Sequence, residues 1–189
     1  FSGVGKTKKE IERALNANIL SFNVESPFEL EDIISVAKGL NKQANIAFRI
    51  NPNIDAKTNP KIATGLYGTK FGMLSEDAVH LAEVVKNNTK HVKLIGLACH
   101  IGSQMTSLEP IAQAVESMLE ISHKFRDRGH ELEYLNMGGG LGIKYYDEIP
   151  PSIEQYAEVL ISKLRGSNLK LILEPGRVLM GNVGVLISE

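Results

Sequence analysis

Three clusters in this 189-residue sequence combine residue types that ligand sites use: Cys99-His-Ile-Gly-Ser-Gln104, Gly138-Gly-Gly-Leu-Gly142 and Glu174-Pro-Gly-Arg177. Each directly follows a short apolar run. Gly138, Gly139 and Gly140 carry no Cβ, so successive amides can approach and surround an anion such as phosphate. The run is not a dinucleotide fingerprint, because from Gly138 or Gly140 the third glycine would fall at Ile143 or Tyr145. Glu174 and Arg177 pair a carboxylate able to hold a protonated ring nitrogen with a planar fork that grips phosphate or carboxylate; a rim salt bridge is the plainer alternative. His100 suits packing flat on a ligand ring, with Ser103 adding a phosphate hydrogen bond, although a satisfied strand-end histidine is also common. Arg49, inside Ile46-Ala-Phe-Arg-Ile50, needs an anionic partner, either a ligand phosphate or a neighbouring acid. Cys99 reads as buried packing rather than a nucleophile.

The elements that position these clusters follow from periodicity. Runs rich in β-branched and aromatic residues predict strands at 19–24, 46–50, 92–99, 132–137 and 169–173, with Phe1 the tail of another. The segments between them have helical period and open on start signals. Thr7 with Glu10, Ser26 with Glu29 and Ser152 with Gln155 form capping boxes; Pro27 takes a first helical position, and Ser75 begins a further helix. Single faces gather Ile11 and Leu15; Ile33, Ile34 and Ala37; Leu81, Val84 and Val85; Val115, Met118, Leu119 and Ser122; and Tyr156, Ala157, Leu160 and Ile161. Such alternation means an α/β fold, a parallel sheet covered by helices. Six strands and five helices fall about two units short of a (β/α)8 barrel, and periodicity alone also admits a doubly wound sheet. In either, ligands bind at the C-terminal strand ends, where all three clusters lie. The one long connection, 51–74, carries Lys57, Lys61 and Lys70 and has the length of a functional loop.

Composition narrows the partners. Twenty-one Lys plus Arg against twenty-two Asp plus Glu leave a formal charge of −1, with no basic excess to draw nucleic acid or anionic lipid. The single cysteine excludes an internal disulfide, the five scattered histidines give no metal-ligand spacing, and the chemistry fits a reducing cytosol. No apolar run approaches the roughly 18 residues of a membrane span, and Phe1-Ser-Gly-Val-Gly-Lys6 has no signal-peptide core. Lacking an initiator Met, the sequence reads as an internal segment. Gly3-Val-Gly-Lys-Thr7 matches only the end of a phosphate-binding P-loop, and Thr7 is already accounted for as a helix cap.

Seven motifs stand in the order of one family: Ser2-Gly-Val-Gly-Lys-Thr7, Phe22-Asn-Val-Glu-Ser26, Arg49-Ile-Asn-Pro52, Thr64-Gly-Leu66 with Lys70-Phe-Gly72, His100-Ile-Gly-Ser-Gln104, Asn136-Met-Gly-Gly-Gly140 and Glu174-Pro-Gly-Arg177. Over its whole length the chain resembles the diaminopimelate decarboxylase branch of the alanine-racemase-like pyridoxal-phosphate enzymes, which also hold ornithine and arginine decarboxylases. It departs from that pattern at Asn59, where many members have His, and at Ala98, where His or a similar residue is common. The resemblance implies strands 3 to 8 of a (β/α)8 barrel over residues 1–182, with 183–189 leading to a C-terminal β-domain. It implies a cytoplasmic homodimer that binds pyridoxal 5′-phosphate and decarboxylates meso-2,6-diaminopimelate to L-lysine and CO2, the last step of lysine biosynthesis. Ornithine-, arginine- or carboxynorspermidine-type decarboxylation, or a non-catalytic cofactor-binding barrel, are the alternatives. By the same resemblance His100 stacks on the pyridoxal ring, Glu174 binds its nitrogen, and Arg49 neighbours the cofactor. Ser103, Gly138, Gly139, Gly140, Gly176 and Arg177 hold the phosphate, and Arg177 also meets a substrate carboxylate. The Schiff-base lysine belongs to strand one, outside this sequence, so the segment alone is expected to be inactive.

Overall fold

The computed structural model describes residues 1–58, 64–65, 71–185 and 187. Along them run α1 (Lys8–Asn16), β1 (Phe22–Val24), α2 (Pro27–Leu40), β2 (Ala44–Arg49), α3 (Ser75–Lys86), β3 (Val92–Ala98), α4 (Glu109–Arg126), β4 (Tyr134–Asn136), α5 (Ile153–Leu164), β5 (Lys170–Ile172) and the single turn α6 (Arg177–Met180). Thr7 and Ser152 close reciprocal capping boxes with Glu10 and Gln155. At Ser26 the hydroxyl accepts from the Glu29 amide, but the Glu29 carboxylate meets Lys6 Nζ at 2.7 Å, so a buried ion pair replaces the expected return bond. The stripe expected at Leu81, Val84 and Val85 is rotated: α3 buries Ala78, Ala82 and Val85, whose small side chains let the helix approach the sheet. Helix α5 likewise buries Tyr156, Leu160 and Leu164 and leaves Ile161 exposed. The motif residues Asn59, Leu66 and Lys70, and the loop residue Lys61, lie outside the described residues. Among those described, no helix is long and apolar enough to cross a membrane.

All five strands are parallel and stand in the order β1-β2-β3-β4-β5. A doubly wound sheet reverses its strand order at a switch point, so this order excludes it. Phe1 extends the sheet as expected: its nitrogen donates to Ser21 O at 2.6 Å and its carbonyl accepts from Asn23 N at 3.0 Å, the two bonds of a parallel bridge. Four strand spacings of about 4.8 Å would hold the two ends of a flat sheet roughly 19 Å apart. Instead Asn23 Nδ2, on β1, lies 3.2 Å from Glu174 Oε1, just past β5. The sheet is therefore curled into an arc, with an inside and an outside.

Side chains alternate between these two faces. Phe22, Val24, Ile46, Phe48, Leu94, Leu97 and Leu135 face outward and join the helices in the main core. Ala47, Ile95 and Tyr134 form a separate inner cluster with Ile172. Gly96 makes room for Tyr134, since a Cβ there would lie 2.5 Å from its ring, and Tyr134 OH reaches across to Ser21 Oγ at 2.5 Å. A β-bulge interrupts the pleat at Ile95: Ile46 pairs with Leu94, but Ala47 pairs with Gly96. Ile95 and Gly96 thus both face inward, and Ala98 and His100 beyond them follow.

Candidate cofactor site

The inward-facing residues meet at the C-terminal ends of the strands. There Ser2, Asn23, Arg49, Ala98, Cys99, His100, Asn136 and Glu174 line a cavity of about 180 Å³.

Glu174 is fixed by its backbone and its side chain. Its amide donates to Gly138 O at 2.7 Å, while Oε1 accepts from Asn136 Nδ2 at 2.7 Å, Ser2 Oγ at 2.8 Å and Asn23 Nδ2. Burial pushes its carboxyl pKa up, but the hydrogen bonds from Asn136 and Ser2 act against this, and the net shift is downward. Glu174 is ionised. His100 is shifted the other way: burial lowers its pKa, Arg49 adds to this, and Glu174 opposes it. A neutral imidazole results, and its Nδ1 accepts from Gly139 N at 3.2 Å.

The triple glycine is a contact point for three loops. Cβ atoms on Gly138, Gly139 and Gly140 would lie 2.7 Å from His100 Nδ1, 2.3 Å from Glu174 O and 2.2 Å from Gly102 O. The Gly138 amide donates to Asn136 Oδ1 and the Gly139 amide to His100, whereas the Gly140 amide has no protein acceptor among the described residues. Glycine here serves close approach as well as any anion.

Arg177 and Ser103 are brought together as the sequence suggested, with Nη2 3.2 Å from Ser103 Oγ. Tyr145 joins them unexpectedly: its hydroxyl accepts from Arg177 Nη1 at 2.5 Å and its ring lies 5.6 Å from the guanidinium. Arg177 Nε is buried without a partner among the described residues. Gly176 caps α6 and has open space around it.

Arg49 lines the cavity, and its anionic partner is Glu25, 2.8 Å from Nη1. Glu25 also accepts from the amides of Gly3 and Gly72, tying three segments together. Lys6 is buried, its Nζ bonded to Gly3 O, Asn23 O and Glu29. Cys99 faces outward into the core and burial pushes its thiol up to about 12, so it is no nucleophile.

A buried guanidinium N–H and a glycine amide that have no acceptor among the described residues, beside a serine, are a donor set for a phosphate. An ionised glutamate across from a neutral histidine suits a protonated heterocycle. The residues present fit pyridoxal 5′-phosphate. The sequence profile of the pyridoxal-dependent decarboxylases, pyridoxal binding domain, matches residues 1–181.

The chain belongs to this family. It is 46% identical over 191 residues to diaminopimelate decarboxylase of Zymomonas mobilis, an alignment that takes in 100% of this chain and 45% of the relative. The enzyme of the same name from Neisseria meningitidis serogroup A is 45% identical over 189 residues, covering 100% of this chain and 46% of the relative. Among solved structures, Helicobacter pylori diaminopimelate decarboxylase complexed with L-lysine matches with a TM-score of 0.90 and 42% identity, over 94% of this chain and 45% of that one. This pyridoxal binding domain therefore spans under half the length of those relatives, and its curled sheet is part of the family's (β/α)8 barrel.

Sequence reasoning missed Ser2, Asn23, Glu25, Lys6 and Tyr145 as parts of the site. Asn23 and Glu25 did carry a signal, since they alternate with Phe22 and Val24 and so share the inward face with period two.

Proposed function

We propose that this chain is the cofactor-binding part of a pyridoxal 5′-phosphate-dependent carboxy-lyase that converts meso-2,6-diaminopimelate to L-lysine and CO2. The carrying observation is the ionised Glu174 carboxylate at the rim of a cavity walled by neutral His100. The names of the most similar relatives, and the L-lysine bound to one of them, support the substrate and product.

When bound, the cofactor supplies an electron sink for the pair left behind as CO2 departs. Glu174 holds a proton on the ring nitrogen by a charge-assisted hydrogen bond, which keeps the ring electron-poor. His100 packs uncharged against the ring and adds no competing cation. Ser103, Gly140, Gly176 and Arg177 hold the phosphate, with Arg177 also meeting a substrate carboxylate. Gly138 and Gly139, expected from the sequence to share in this, have their amides bonded to Asn136 and His100 and instead let the loops pack closely. Arg49, neutralised by Glu25, braces the wall. The lysine that binds the cofactor is assigned to the protein outside residues 1–189. Residues 1–182 are assigned to the barrel and 183–189 to the lead into a β-domain. A cytoplasmic homodimer completes the reading and rests on the family resemblance; the charge of −1 supports partners other than nucleic acid or anionic membrane.

The full-length protein, loaded with pyridoxal 5′-phosphate, should release CO2 from meso-2,6-diaminopimelate with a kcat/KM about 100-fold or more above that for ornithine or arginine. Preference for either of those moves it to a sister decarboxylase. Binding of the cofactor without turnover of any of the three makes it a binding protein.

A further inference from the structure

Among the described residues, one oxygen of Glu174 is crowded and the other has no donor. An ionised carboxylate offers about four lone-pair sites over two oxygens. Three donors converge on Oε1 alone: Ser2 Oγ from the loop before α1, Asn23 Nδ2 from β1 and Asn136 Nδ2 from β4. Oε2 accepts from none of the described residues. The donors are held in turn. Asn23 Nδ2 also donates to Ser2 Oγ at 2.7 Å, and Asn136 Oδ1 accepts from the Gly138 amide at 2.9 Å. Buried Lys6 fastens the backbone of both N-terminal segments, reaching Gly3 O at 2.7 Å and Asn23 O at 2.8 Å.

All three donors are uncharged, and that choice has a chemical consequence. A lysine or arginine in their place would fix the carboxylate but cancel the charge on which a protonated ring nitrogen depends. Hydroxyl and amide donors stabilise the anion while leaving its charge available. The charged or titratable groups around Glu174 are His100 across the cavity and Tyr134 on β4; Arg49 is tied to Glu25.

We propose that Ser2, Asn23 and Asn136 are positioning residues that saturate Oε1 of Glu174 and so present Oε2 to the ring nitrogen of the cofactor, an inference that rests on the function proposed above. The test uses the full-length protein and two readouts. In the cofactor-free protein, the Glu174 carboxylate is titrated by infrared difference spectroscopy against Glu174→Gln, in wild type, Ser2→Ala and Asn136→Leu. Each substitution removes one bond to the anion and should raise the midpoint, by about one pH unit for Asn136→Leu and less for the partly solvated Ser2→Ala. Asn136→Asp, which keeps the shape and adds a like charge, should raise it further. In the loaded protein, the pH dependence of pyridoxal 5′-phosphate absorbance should move with the carboxylate midpoint. A Glu174 midpoint that stays put in both Ser2→Ala and Asn136→Leu overturns the clamp, whatever the cofactor does. A midpoint that rises while the absorbance titration stays fixed, even in Glu174→Gln, supports the clamp and removes the role assigned to Glu174 in the proposed function.

Discussion

Arg177 and Ser103, 74 positions apart in the chain, are joined by a 3.2 Å hydrogen bond from Nη2 to Oγ. Tyr145 takes the other terminal nitrogen of the same guanidinium, so the loops after β3, β4 and β5 converge on one planar group. Lysine keeps the charge but cannot occupy both positions of the fork. Arg177→Lys should weaken pyridoxal 5′-phosphate binding by roughly 10- to 100-fold, the loss of one charged hydrogen bond, and Tyr145→Phe should cost only a few-fold because the ring contact survives. Fluorescence titration of the cofactor-free full-length protein measures both; wild-type affinity in Arg177→Lys reduces Arg177 to a tether between loops.

Glu174→Ala removes the charge that keeps the ring nitrogen protonated, while the phosphate donors stay in place. We expect kcat to fall by about 100-fold or more while cofactor retention changes far less. Steady-state kinetics beside a dialysis measurement of bound cofactor separate the two effects, and unchanged turnover contradicts the role.

The glycines are unequal. A methyl group on Gly139 would meet the Glu174 carbonyl at 2.3 Å, backbone that cannot yield cheaply, whereas Gly176 has nothing within 4 Å and a negative φ. Gly139→Ala should destabilise the protein by about 1–3 kcal/mol and displace Glu174, and Gly176→Ala should leave the thermal midpoint near that of wild type. Differential scanning calorimetry distinguishes them.

Glu25 is a structural linchpin by the same measure. Its side chain is 3% exposed and its partner Arg49 11%. Glu25→Ala strands a buried guanidinium and two amides, and should destabilise the fold by about 3–5 kcal/mol. Urea denaturation checks this; a loss well under 1 kcal/mol would mean that water reaches Arg49.

Acid should loosen the site through its histidine. Burial holds the His100 pKa below its ordinary value, so near pH 6.5 the unfolded chain takes up a proton that the folded one refuses. The stability His100 contributes is thus complete above about pH 6.5 and is lost as the pH falls below it. His130, lowered by burial as well, adds a slope of the same sign. The thermal midpoint should drop from pH 7 to pH 5, and less steeply in His100→Gln. Glu174, shifted downward, contributes its loss only at lower pH. Parallel slopes in wild type and variant would show that His100 is solvated.

The clusters at His100, Gly138 and Glu174 were legible because each interrupts an apolar strand with residues a strand does not need. Arg49 was legible as a charge in want of a partner, but the identity of that partner was not. Glu25 lies just past β1, where alternation with Phe22 and Val24 marks it as inward-facing but does not say which cation it meets. Ser2 lies 172 positions from Glu174, and no local pattern links them. The choice between barrel and doubly wound sheet depended on which strands are neighbours, and only pairings such as Phe22 with Ile46 and Leu135 with Leu171 supply it.

The irregularity at Ile95 decides which functional group the third strand offers to a ligand. Had the same residues run in an unbroken zigzag, Leu97 and Cys99 would point into the cavity, and Ala98 and His100 would be pressed against the helices. The pocket would then display a thiol where it now displays an imidazole, with every residue of the strand unchanged.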